Sequence, residues 1–203
     1  MKTIYRILAI SGSLRARSTN TETLRAAALL APDALSVSLY AGLGTLPPFN
    51  PDLDGPDDIP APPVRELRSS VAVADALLIC SPEYAHGVPG TLKNALDWLV
   101  SGPEIVQKPI GLLNVSPRSI HAYTALAETL RTMSTVLVPE ACQTIALGGR
   151  MLSANAIAGT PEIADVLGRV MQALAAAAAE YRPRRAELLG IADVTSTPTT
   201  GTR

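Results

Sequence analysis

Cysteine is nearly absent from this chain: Cys80 and Cys142 are the only two among 203 residues. They form neither a disulfide framework nor a metal-type pair. Cys80, inside the apolar run ALLIC, reads as a small buried hydrophobe. Histidine is as scarce, with His86 and His121 alone, and no metal-ligand spacing occurs, so no metal is expected. Aromatic residues make up 3% of the chain and the formal net charge is −1 without a basic run. Base-stacking platforms are then hard to build and a phosphate-tracking surface has no support, which excludes nucleic acid as the expected partner. No apolar stretch is long enough for a membrane span, and Met1-Lys2-Thr3 runs straight into a strand pattern without a signal-peptide pattern. A reducing, cytoplasmic setting is the expectation. Two nucleotide fingerprints are missing as well: there is no G-x-x-x-x-G-K-[ST], and no G-x-G-x-x-G follows a strand.

What the chain does have is 47% apolar residues, enough at this length for one domain with a sizeable aliphatic core. Its organising stretch is residues 4–23, IYRILAISGSLRARSTNTET. Apolar Ile7 to Ile10 end abruptly in Ser11-Gly12-Ser13; a polar loop follows, then the helical pattern of Leu24, Ala27, Ala28 and Leu30. A strand, a tight Gly-containing loop and a helix start make an anion site in α/β proteins, because backbone N–H groups and the helix dipole converge there. Hydroxyls of Ser11, Ser13, Ser18 and Thr19 can donate to phosphate oxygens, and Arg15 or Arg17 can add a charge-assisted bond. The competing reading is that Ser18, Thr19 or Asn20 merely caps the helix.

Further along, a helix is predicted over 22–31 and an edge-type alternating strand over 35–40. Residues 41–63 lose all patterning and carry Phe49, the only Phe, which serves either as a lid or as a plug for the end of the core. Helix 64–74 and the continuous apolar run 76–80 follow, the latter as expected of a central parallel strand. After the loop 81–90 comes a helix with Leu92, Ala95, Leu96 and Leu99 on one stripe, then a strand over 110–115, the loop 116–119 and a helix to about Ser134. Residues 136–147 contain a strand, with Pro139 at its start or in a kink. A helix capped by Thr160, with Pro161 at its first position, should run to about Tyr181. Residues 1–181 are thus expected to form the domain and 182–203 a disordered tail. Alternation of strands and helices implies a parallel sheet with right-handed crossovers, and ligands in such sheets bind at the carboxyl ends of the strands. With strand order 2-1-3-4-5, the three polar loops 11–20, 81–90 and 116–119 meet at one edge.

In the second loop, Pro82 and Pro89 stiffen both ends while Gly87 and Gly90 permit close backbone approach. Glu83 and Tyr84 read as shaping a ligand, and His86 has no visible partner for acid–base work. GSLRARSTN followed by SPEYAHGVPGTLKNALDW resembles the NAD(P)H-dependent FMN reductase family, which includes FMN, quinone, azo-dye and chromate reductases. Two long motifs in the right order carry the resemblance, over residues 5–115. It implies a flavodoxin-like α/β fold, a three-layer sandwich around a five-stranded parallel sheet of order 2-1-3-4-5. It further implies that Ser13, Arg15, Ser18 and Asn20 hold the FMN phosphate, while Pro82, Glu83 and Tyr84, with Gly87 nearby and Ser116 from the third loop, line the flavin ring. Hydride would pass from NADPH or NADH to FMN and then to a small acceptor: a quinone, an azo compound, a metal oxyanion or free flavin. No catalytic side chain is needed, since the cofactor carries the chemistry. The resemblance also implies a homodimer or homotetramer, with Trp98 and its helix serving subunit contacts as well as the core. A flavin-binding electron carrier or redox sensor is the alternative, although such carriers are generally strongly acidic. Two departures stand out: Ala85 replaces a typical Asn, and SPRSIHAY replaces a Gly-rich turn.

Overall fold

The computed structural model describes residues 3–55 and 58–190. Strand β1 (Tyr5–Ser11) leads through a loop to helix α1 (Thr19–Leu29), followed by β2 (Leu35–Leu39), α2 (Pro62–Val73), β3 (Ala76–Cys80), α3 (Gly90–Asp97), β4 (Pro109–Asn114) and α4 (Ile120–Thr132). Two short strands, β5 (Val136–Leu137) and β6 (Gln143–Thr144), then α5 (Ala154–Ala158) and α6 (Pro161–Leu188) complete the order. Every strand pairing is parallel, in the order β2-β1-β3-β4-β5, with β6 also on β4. This is the flavodoxin-like arrangement.

Side-chain alternation along the strands divides the core in two. Leu8, Ile10, Leu77, Ile79, Ile110 and Leu112 face α2, α3 and α4, whereas Ile7, Ala9, Leu78, Cys80 and Leu113 face α1, α5 and α6. Because both faces are covered, β3 and β4 are buried at every position, which is why β3 reads as an unbroken apolar run and β4 as one up to Leu113. The edge strand β2 keeps its alternation of half-buried and exposed residues. Among the described residues, no helix is long and apolar enough to cross a membrane.

Three elements differ from the sequence-based expectation. The strand expected within 136–147 is split: a short helical turn at Pro139–Ala141 separates β5 from β6, because Pro139 brings no N–H to the ladder. Helix α6 passes Tyr181 and Pro183 and ends at Leu188, so residues 182–188 belong to the domain. Arg182 pairs with Asp75 and lies 4.5 Å over the Tyr5 ring, and buried Arg185 donates to the carbonyls of Val106 and Glu104 at 2.9 Å each. These tertiary contacts outweigh the loss of one helical hydrogen bond at Pro183. The expected disorder of 191–203 lies outside the described residues. Finally, Trp98 is 1% exposed, its indole N–H donating to Pro47 O at 2.9 Å, so it serves the core and offers no surface to a partner. Phe49 sits edge-on to it at 5.0 Å and acts as the plug.

Charged groups gather where the strands begin. Arg68 pairs with Asp54 at 2.7 Å and with Glu104 at 3.4 Å. Lys108, fully buried just before β4, donates from Nζ to Val71 O at 2.7 Å and to Ala74 O, closing the carboxyl end of α2. Burial, reinforced by Arg185, lowers its pKa to about 7, although Asp75 and Glu104 pull the other way.

Candidate functional site

Strand register places the loops. Ser11 pairs with Cys80, and Cys80 with Leu113, so the chain leaves β1, β3 and β4 from one row at their carboxyl ends. Gly12 donates to Cys80 O at 2.9 Å, and a Cβ at Gly12 would stand 2.6 Å from Ser81 Oγ and 3.1 Å from Leu92. Only glycine lets the first loop lie this close to the second.

The first loop braces itself through Ser11 and Ser13, whose hydroxyls accept from the amides of Ser13 and Arg15. Thr21 Oγ1 donates to Ser11 Oγ at 2.8 Å, and Ser11 Oγ in turn accepts from Ser13 N at 3.3 Å. Ser18 is the N-cap of α1, its extended backbone letting Oγ accept from Thr21 N at 3.4 Å. The capping reading therefore holds for Ser18, and its hydroxyl proton is still available to an anion. Ser13, Ser18 and Asn20 are each buried, while Arg15 and Arg17 stand exposed, neither in an ion pair with a described residue. Among the described residues, the N–H groups of residues 16–20 meet no protein acceptor. A run of unmet donors at a helix N-terminus, flanked by two arginines, fits a phosphate group.

In the second loop, Tyr84 N donates to Gly87 O at 3.1 Å and Gly87 N to Tyr84 O at 2.8 Å, which closes a two-residue turn. Both central residues adopt the left-handed region, Ala85 at φ 48° and His86 at φ 59°. Such turns favour Asn or Gly there, because a Cβ is strained at positive φ. Replacing Ala85 with asparagine is expected to stabilise the protein by about 0.5–1 kcal/mol, measurable as a higher urea midpoint. A Cβ on Gly87 would meet only Tyr84 O, at 3.5 Å, and nothing lies within 4 Å of one on Gly90. The chain itself makes no use of the approach these glycines permit.

Glu83 also has a structural contact. Its Oε2 accepts from Ala122 N at 2.8 Å, so the carboxylate caps α4. The N-cap residue Ser119 makes no side-chain cap there, which leaves that work to Glu83. Sequence spacing gives no sign of this contact between residues 83 and 122. The third loop is organised by Asn114, which is 4% exposed: its Oδ1 accepts from Ser116 N at 3.1 Å and its Nδ2 donates to Ser119 O at 3.3 Å. An Asn closing a strand just before Ser-Pro was a readable signal for such a turn. Ser116 Oγ accepts from Arg118 N at 3.4 Å. The two histidines meet across the loops, their rings stacked at 4.3 Å between centroids, beside an open cavity of about 460 Å³ lined also by Ile120, Thr124 and Glu128.

With this geometry in place, comparison with known proteins is informative. The profile of the family described as NADPH-dependent FMN reductase matches residues 5–147. The chain belongs to that family. The matched region runs from β1 through β6 and contains all three loops. An NAD(P)H-dependent FMN reductase of Pseudomonas aeruginosa is 39% identical over 113 residues, 55% of this chain and 60% of that protein. A quinone reductase of Pseudomonas putida is 34% identical over 130 residues, 62% of this chain and 67% of that protein. Matches to these relatives thus span about 60–67% of their length. Among solved structures, the flavoenzyme NAD(P)H:(acceptor) oxidoreductase FerB of Paracoccus denitrificans superposes with a TM-score of 0.70 at 24% identity, covering 87% of this chain and 98% of that one. An NADH:FMN oxidoreductase in its apo form gives 0.61 at 22% identity, covering 85% and 89%. These two likenesses establish the fold.

Proposed function

We propose that the chain is an FMN-dependent NAD(P)H oxidoreductase that delivers electrons to a small acceptor such as a quinone, an azo compound, a metal oxyanion or free flavin. The observation that carries this reading is the run of unmet N–H donors over residues 16–20, with Arg15 beside it and the 81–90 loop adjacent. Membership of the FMN reductase family supports the choice of FMN over other phosphate ligands. Ser13, Ser18, Asn20 and Arg15 would hold the phosphate. The backbone of Pro82, Glu83 and Tyr84, with Gly87 and Ser116, would line the ring.

When bound, FMN supplies the hydride-accepting chemistry, so the chain need not provide an acid or base. Its residues position and enclose. Glu83 ties the second loop to the start of α4 and so fixes the spacing between the second and third loops. The reciprocal Tyr84–Gly87 bonds stiffen the rim. Half-exposed Tyr84 on the second loop and exposed Ile120 at the start of α4 add apolar surface near the site, which supports assembly into a homodimer or homotetramer. A cytoplasmic site of action completes the proposal, consistent with two free cysteines.

The test is a visible spectrum of purified protein after addition of FMN and removal of the excess, followed by anaerobic NADPH. Retained flavin that bleaches on NADPH is the expected result. Flavin that is retained but bleached by neither NADPH nor NADH would favour an electron carrier or sensor. Failure to retain or bind FMN in titration would overturn the assignment.

A further inference from the structure

The site as described leaves Cys80 without a part. It is fully buried at the end of β3, directly beneath the first loop, since Gly12 donates to its carbonyl. Its thiol donates to Asn20 Oδ1 at 3.2 Å, across 60 positions of sequence. Asn20 lies in the first turn of α1 and is 7% exposed.

A thiol is weak both as donor and as acceptor, but its S–H finds a good acceptor in an amide oxygen whereas an amide N–H finds a poor one in sulfur, which favours the orientation with Oδ1 toward Cys80. With Oδ1 turned to the strand, the Asn20 nitrogen carries two N–H donors away from it. That nitrogen meets no acceptor among the described residues, yet it is not among the sealed polar atoms: of the described residues, only Tyr40 Oη and Glu104 Oε1 are buried without a hydrogen-bond partner. It is open at the helix N-terminus, where residues 16–20 present their own unmet N–H groups. The reverse orientation would put a carbonyl oxygen among those donors and against any anion. Burial pushes the Cys80 thiol well above the ordinary cysteine range, which keeps its proton in place.

We propose that Cys80 is a positioning residue for the phosphate site, its S–H holding the Asn20 amide so that a bound phosphate meets two N–H donors. The inference rests on the FMN-phosphate reading above and adds a residue to it. The bond costs Cys80 none of its packing role, since the side chain also belongs to the core shared with α1 and α6.

Dissociation constants for FMN and for riboflavin, which lacks the phosphate, test this in the full chain and in Cys80→Ala, Cys80→Ser, Asn20→Ala and the Cys80→Ala/Asn20→Ala pair. Loss of one such hydrogen bond is expected to weaken FMN about threefold to tenfold in Cys80→Ala and leave riboflavin within about twofold. Cys80→Ser, which keeps a donor, should recover most of the FMN affinity. In the Asn20→Ala background, removing Cys80 should cost nothing further. Should Cys80→Ala fold poorly, Cys80→Val preserves the bulk without the donor and is expected to show the same FMN-specific loss. Unchanged FMN affinity, equal losses for the two ligands, or additive losses in the pair would each overturn the role of Cys80. Wild-type protein that binds FMN no more tightly than riboflavin would instead bring down the phosphate reading, and this inference with it.

Discussion

Replacing Arg15 with alanine is expected to weaken FMN binding about 10- to 100-fold, the range for losing a hydrogen bond to a charged partner. Arg15 is exposed and makes no ion pair among the described residues, so the urea midpoint should stay where it is. The effect should shrink as salt is added, because the guanidinium sits at the rim where ions screen it. Riboflavin affinity should not change. Loss of FMN and riboflavin affinity in equal measure would show that Arg15 serves the loop's shape and not the phosphate. Arg17 is also exposed and unpaired, and an Arg17→Ala control separates a single anchor from a shared one.

The second large effect concerns Lys108 and stability. Its folded pKa of about 7 lies below the ordinary lysine value, so between those limits the unfolded chain binds more protons than the folded one. Stability therefore rises with pH across this window. The slope approaches about 1.4 kcal/mol per pH unit, and the gain from pH 7 to 9 is about 2 kcal/mol. Below pH 7 the lysine is charged in both states and the slope vanishes. Cys80, Cys142 and Tyr123 act in the opposite sense at high pH, since burial raises all three, Tyr123 to about 12. Subtracting the urea stability of Lys108→Met from that of wild type removes these shared contributions. The difference should climb from pH 7 to 9; a flat difference would mean that Lys108 stays protonated in the fold. Glu104, raised chiefly by its burial, contributes with the reverse sign in the acid range, where its stabilisation falls as pH rises.

Local signals carried much of the architecture. The unbroken run Ala76–Cys80 announced a strand covered on both faces, and the alternation in Leu35–Leu39 announced an edge. The Ser-Gly-Ser break after Ile10 marked the first loop, in which Ser13, Ser18 and Asn20 are buried. What periodicity could not convey were partners brought together by folding. The contact of Glu83 with Ala122 N in the first turn of α4 was not legible, because a partner 39 positions away leaves no mark near it. Cys80 looked like packing alone because its thiol meets Asn20 only through the β1–β3 pairing. Tyr181 looked like the end of the last helix because the Pro183 that follows breaks helices locally, while Asp75 and Val106, which anchor Arg182 and Arg185, lie on other elements.

The parallel sheet gives the molecule two ends with different duties. Lys108, Arg182 and Arg185 secure the end where strands begin, and the polar loops occupy the end where strands finish. Random diversification restricted to exposed rim positions such as Arg17, Tyr84 and Arg118 would leave every one of those anchors untouched. A scaffold partitioned in this way can take changes at its loop end without first having to be restabilised.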